Sequence, residues 1–282
     1  MRASLDCYPC FFIQTLRTAR IVTSDEKTIL QILHEVSTTL PQIPFNVTPP
    51  EIGREVYSII SRRTGVKDPY KEVKDRCIRE ALSLYPELKR SVESSEDRLM
   101  TAIRLAIAGN VIDFGTDSSF DLTEELETIL SQDFAVDNSQ EFREALKHAR
   151  NVLYLADNAG ETVFDRLLIE EMDKPVIYVV REKPIINDAT REDALSSGLD
   201  KVSEITSSGC DTPGTILKFC SDEFLETYRS ANLIISKGQG NYEALSDEKR
   251  PIFFLLKAKC QVVARDLGVK NGSIILAKTG KL

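Results

Sequence analysis

Two short stretches of this chain, Asp157-Asn158 and Asn187-Asp188, set a carboxylate beside an amide just past an apolar run. The runs, 152–156 and the "PVIYVV" before Arg181, read as buried strands, so each pair falls where a strand gives way to a loop. In open α/β sheets such loops, at the carboxyl ends of the strands, are where ligands bind. A third loop, "SSGCDTPGT", brings Gly209, Asp211, Pro213 and Gly214. A fourth, "SKGQGNYEAL", runs from Lys237 through Gly238 and Gly240 to Asn241 and Glu243. If the loops converge, they supply two carboxylates and an amide carbonyl, which are hard oxygen ligands suited to Mg²⁺ or Mn²⁺. A lysine and the N–H groups at helix starts suit phosphate. Together these describe metal-assisted hydrolysis of a phosphoester. Asp157-Asn158 also suits a plainer role as the N-cap of the helix that follows. The residues alone leave both roles open.

Several other chemistries lack their residues. There is no "GxxxxGK[ST]" phosphate loop and no "GxSxG" nucleophile elbow. Gly238-x-Gly240 meets Glu243 where a dinucleotide fingerprint wants Gly or Ala. The DxDx[TV] pattern of aspartyl-phosphate enzymes fails at Ala159. The two histidines, His34 and His148, lie in helical patterns, leaving little for a histidine-based triad or zinc site.

The elements that must position these loops change character midway. Residues 1–148 read as helices only, an all-helical N-terminal domain. Ser24 stands as an N-cap, Pro50 sits in a first turn with Gly65 as its stop, and one helical period runs on past Pro86. Leu99, Ile103, Ala106 and Ile107 face inward on a later helix. From 149 to 282 short β-branched runs alternate with helical stretches at 164–172, 215–228 and 260–267. That alternation predicts βαβ units and a parallel sheet, so the fold class is α/β, with a Rossmann-like three-layer α/β/α C-terminal domain.

The 282 residues suffice for one large domain or two smaller ones, and the net charge of −8 argues against nucleic acid or an anionic membrane as partner. No run approaches the length needed to span a bilayer, and "MRASLDCYPCFF" lacks the regions of a signal peptide, so the expected location is cytoplasmic. Six cysteines in a chain of this length make no disulfide framework. Cys7 and Cys10 have the spacing of metal ligands and Cys77 is a candidate third, against the alternatives of buried helix thiols or a redox pair.

The order "DNAGE", "IND", "KGQGNYE", with "CYPCFFIQ", "DPYKEVK", "AGNVIDFG" and "FLLKAKC", resembles the family first labelled domain of unknown function 89, now described as metal-dependent damage-control phosphatases. The resemblance covers nearly the whole chain, and the N-terminal CxxC matches the stand-alone prokaryotic branch. It implies a helical domain packed on a Rossmann-like domain, with the active site in the cleft between them. It also implies a divalent metal (Mn²⁺, Co²⁺, Ni²⁺ or Mg²⁺) held by Asp157, Asn158 and Asp188, and a small phosphorylated metabolite as substrate. Lys237 matches the lysine expected on the phosphate. Glu161, Asn110, Asp113, Gly238, Gly240 and Asn241 become candidates for lining the substrate site, although Asn110 and Asp113 equally suit a helix end stopped by Gly115. Two other readings stand beside this one: a non-catalytic nucleotide- or metabolite-binding module, and an S-adenosylmethionine-dependent methyltransferase with Glu182 as its ribose-binding acid.

Overall fold

Strand β2 (Val152–Leu155) is buried along its whole length and lies between β3 (Val176–Val180) and β5 (Leu233–Lys237), parallel to both. The computed structural model describes residues 1–44, 46–109 and 128–279. Its seven-stranded sheet has the order β1-β7-β6-β5-β2-β3-β4, where β1 is Val136–Asp137, β4 Glu204–Ser207, β6 Phe253–Lys257 and β7 Ile274–Lys278. From β2 the chain builds outward to β3 and β4 on one side, then to β5 and β6 on the other. The switch point of the sheet therefore lies between β2 and β5, the crevice where α/β folds bind ligands.

The fold departs from the sequence expectation in several places. The pairing of β6 with β7 is antiparallel, in a sheet expected to be parallel throughout. Two strands carry no readable pattern: β1 is two residues long, and β4 is a partly exposed edge strand of mixed polarity. Because β1 pairs with β7, the sheet begins before residue 148, in a stretch expected to be only helical.

Helices α1 (Cys7–Val22), α2 (Glu26–Thr39) and α3 (Pro49–Thr64) pack around Ile32, Val36, Ile52 and Ile60. Asp25, not Ser24, caps α2, accepting from the N–H groups of Lys27 and Thr28. Thr48 and Glu51 form the capping box of α3, and Gly65 ends it in the left-handed region at φ 73°. Helix α4 (Lys71–Ser94) carries Pro86 inside it, and α5 is Arg98–Gly109. These two helices share the core of the sheet face formed by Tyr154, Tyr178 and Phe253. Helices α6 (Ser139–His148) and α7 (Thr162–Glu170) cover the same face.

Strand alternation sends Leu153, Leu155 and Phe254 to the other face. That face lies beneath α9 (Asp222–Ser230), α10 (Gly238–Leu245) and α11 (Gln261–Asp266). A short helix, α8 (Arg191–Ser196), follows the loop after β3. The helix expected over 215–228 is cut back to α9. The Thr215 N–H is taken by the Asn241 side chain at 2.8 Å, and Ser221 caps the new start. No helix among the described residues is long and apolar enough to cross a membrane.

Candidate active site

The two acid–amide pairs meet at the carboxyl ends of β2 and β3. An isolated antiparallel bridge joins Asn158 to Asp188. Beside it the Ala189 N–H donates to the Asp157 carbonyl at 2.7 Å, and the Ala159 N–H to the Asn187 carbonyl at 2.8 Å. Backbone hydrogen bonding thus fixes Asp157, Asn158 and Asp188 as one group before any ligand is considered. Asp157 and Asp188 are buried. Burial, then the charges of Glu161 and Asp188, push the Asp157 carboxyl well above its usual value, with Lys259 and Arg181 opposing. Burial pushes Asp188 up to about 6 even though Arg181 pulls it down.

Asn158 stands at the N-cap position of the turn Ala159–Glu161 that leads into α7, and its N–H donates to Glu161 Oε1 at 3.4 Å. Its amide nitrogen donates to Glu161 Oε1 at 2.6 Å. The amide oxygen is therefore the end left for the turn's own N–H or for a cation. Two carboxylates and an oriented amide oxygen are hard donors and fit a divalent cation, whose charge would offset the buried negative charge. Among the described residues no three His, Cys, Asp or Glu side chains gather for a metal, so a cation here would have to take the Asn158 amide oxygen beside the two carboxylates. The same holds for Cys7, Cys10 and Cys77, which form neither a metal group nor a disulfide.

A buried charge network lies behind this corner. Lys237 is fully buried, and its ammonium donates to the Ala106 carbonyl at 2.8 Å, Glu161 Oε2 at 2.9 Å and Asp165 Oδ1 at 2.6 Å. Its donors all go to protein acceptors, which differs from the phosphate contact that the resemblance implies. Glu161 is likewise fully buried, between Lys237 and Asn158, and it orients the amide instead of lining a substrate surface. Asp165 also accepts from the hydroxyls of Tyr154 and Tyr178 at 2.8 and 2.7 Å.

Asn241 is buried too. It donates to the carbonyls of Ala156 and Lys237 and accepts from Arg181 and Thr215, so it ties β2 to α10. The two glycines make room: a Cβ on Gly238 (φ 76°) would stand 1.8 Å from Asp157 Oδ2, and one on Gly240 2.7 Å from the Pro213 carbonyl. Asn110 and Asp113 lie outside the described residues.

The sequence profile of the damage-control phosphatase ARMT1-like domain matches residues 3–275. The chain belongs to this family. A damage-control phosphatase of Pyrococcus horikoshii is 37% identical over 282 residues, with 98% of this chain and 97% of the relative covered. One of Archaeoglobus fulgidus is 37% identical over 289 residues, with 98% of both covered. The crystal structure of a protein of the domain-of-unknown-function 89 family from P. horikoshii matches with a TM-score of 0.92 at 35% identity, over 99% of each chain.

In this damage-control phosphatase family member, further residues at the site escaped the sequence reading. Arg181, fully buried, spreads its guanidinium over Asp188 Oδ2 (2.7 Å), Thr215 Oγ1 (2.8 Å) and Asn241 Oδ1 (3.1 Å). Lys74 on α4 donates to Asp193 at 3.0 Å and pairs with Asp68 at 2.8 Å, while Asp193 accepts the Thr190 N–H at 2.8 Å. That chain of contacts pins the segment just after Asp188 to the "DPYKEVK" stretch. Lys259, at the end of β6, is exposed, and its charge reaches Asp157. The signal for Lys259 was its place just past a strand, in "FLLKAKC".

A cleft of about 400 Å³ opens next to this corner, lined by α3 and by the loop that leads from β3 to Asp188. Tyr57, Ile60 and Ile185 contribute its apolar surface. Ile186, also in the lining, holds φ 47°, an outlier for a β-branched residue. The Asp188 charge is felt at the Tyr57 hydroxyl, so corner and cleft adjoin.

Proposed function

We propose that this protein is a phosphatase that hydrolyses small phosphate monoesters with a divalent metal held by Asp157, Asn158 and Asp188. The observation that carries the reading is the pair of buried carboxylates, each pushed above its usual pKa, joined to an amide whose oxygen a neighbouring carboxylate orients. Family membership supports the phosphatase activity.

When bound, the metal supplies positive charge for a phosphoryl oxygen and for the attacking water. The chain's own residues do the rest. Arg181 keeps Asp188 turned toward the corner, and Glu161, itself held by Lys237, keeps Asn158 in register. Lys259 and the first N–H groups of α10, which open beside Asp157, receive the remaining phosphoryl oxygens. A water oxygen bonds to phosphorus as the ester P–O bond breaks, and the water's protons are shared between the leaving alcohol and inorganic phosphate. The leaving group occupies the cleft beside Tyr57 and Ile185.

The test is phosphate release from p-nitrophenyl phosphate and a panel of sugar phosphates. Metal-stripped protein is assayed first, then protein supplied with each divalent metal. Release is expected only with metal, and Asp157→Ala is expected to lose it by about 100-fold or more. Release that survives in the variant, or none with any metal, overturns the reading. In the second case a metabolite-binding role becomes the better account.

A further inference from the structure

The cleft beside Asp188 has an apolar, aromatic interior and a charged rim. Arg54, Lys67 and Lys183 contribute its cations, Glu55 and Asp211 its acids. Arg54 is already engaged: its Nε donates to Asp211 at 2.7 Å and its guanidinium lies over the Phe219 ring at 4.7 Å. Lys67 and Lys183 differ, being exposed and forming no ion pair among the described residues. They come from separate parts of the fold. Lys67 follows α3 in the helical bundle, whereas Lys183 sits in the loop from β3, five residues before Asp188. A chain of net charge −8 thus lines one cavity with two ammonium groups that pair with no carboxylate among the described residues, the acids of the lining, Asp211 and Glu55, lying against Arg54.

The transferred phosphoryl group has its own partners at the corner, in Lys259 and the start of α10. Lysines on the cleft therefore meet the other end of the substrate. We propose that the preferred substrates carry a second acidic group, a carboxylate or a second phosphate, on the leaving group, and that Lys67 and Lys183 bind it. The inference rests on the phosphatase reading and narrows its substrate class. The cavity, at about 400 Å³, suits a compact metabolite, and its tyrosine and isoleucine walls pack the carbon skeleton between two charged ends. Arg54, held by Asp211, adds shape to the wall and no net charge.

Matched pairs of esters test this with the full chain and Mn²⁺: glycerol phosphate against phosphoglycerate, and a hexose phosphate against the corresponding aldonate phosphate. The acidic member of each pair is expected to show a higher kcat/KM by roughly five- to tenfold, carried by KM and shrinking as salt is raised. Lys67→Ala and Lys183→Ala should each lower the acidic-to-neutral ratio, and the double variant should bring it to about one. Using a ratio removes any general loss of activity from the comparison. Lys147→Ala, which deletes the same charge at the opposite end of the strands, serves as control and should leave the ratio unchanged. A ratio near one in the unaltered protein, or a preference that the double variant keeps, overturns the inference while the phosphatase reading stands. No phosphate release from any ester removes both.

Discussion

Gly238 has no room for even a methyl group, because the Asp157 carboxyl occupies the space where Cβ would be. Its φ of 76° adds about 1 kcal/mol of backbone strain for any residue with a side chain. Gly238→Ala is therefore expected to displace the Asp157 carboxylate and weaken Mn²⁺ binding by about 10- to 100-fold in titration calorimetry. Proton competition gives a second expectation. Burial holds Asp188 at about 6 against a usual 3.8, so below about pH 6 the metal proposed above would have to displace a proton from it. Apparent Mn²⁺ affinity should fall up to roughly tenfold per pH unit there, read by calorimetry at several pH values. In the metal-free protein the sign reverses. A carboxyl raised on folding binds protons more tightly in the fold, so its contribution to stability is present at low pH and lost as pH rises through about 6. That Asp157, Asn158 and Asp188 come together was legible because two acid–amide pairs follow neighbouring strands, although the residues left a capping role open beside a metal-binding one. The roles of Glu161, Lys237 and Asn241 were not, since hydrophobic period says nothing about whether a polar side chain at a strand end faces solvent or a buried partner.

Helix α5 crosses α7 at Gly109, where a Cβ would meet the Phe164 ring carbons at 2.8 Å and its Cβ at 3.0 Å. Phe164 is fully buried, so the neighbour has nowhere to yield. Gly109→Ala should destabilise the protein by about 1–3 kcal/mol, measured by denaturant unfolding, despite the higher helix propensity of alanine. The long helices and the apolar strands were readable from their periods, and Gly65 announced the end of α3. The misses share one cause, which is that tertiary pairing decided the outcome. Two residues suffice for β1 because β7 supplies the partner strand. The polar β4 is a strand because β3 has an open edge. Residues 215–220 stay out of a helix because Asn241 and Arg181 take the N–H and hydroxyl of Thr215. The reversal of β7 also has no local signature, as apolar runs read alike in either direction.

Across the whole molecule, Lys237 joins three regions, since its ammonium reaches the Ala106 carbonyl on α5, Glu161 after β2, and Asp165 on α7. Lys237→Met would leave two buried carboxylates without their cation, at a cost of about 3–5 kcal/mol. The expected reading is a lower Tm, partly restored by adding Asp165→Asn. Lys259→Ala gives the contrasting result, an unchanged Tm with weakened phosphatase activity. An equal loss of Tm in both variants would contradict the division of roles between the two lysines. The expected boundary at 148 divides what the core unites, because α4, α5 and α6, which precede it, cover the same sheet face as α7, which follows it. The bond from Lys237 to Ala106 has a consequence for descent. A change that shifts α5 in the early part of the gene is felt at once by Glu161 and Asn158, encoded far downstream. The two halves are thus poor candidates for exchange by recombination between distant relatives, and are better inherited as one length of coding sequence.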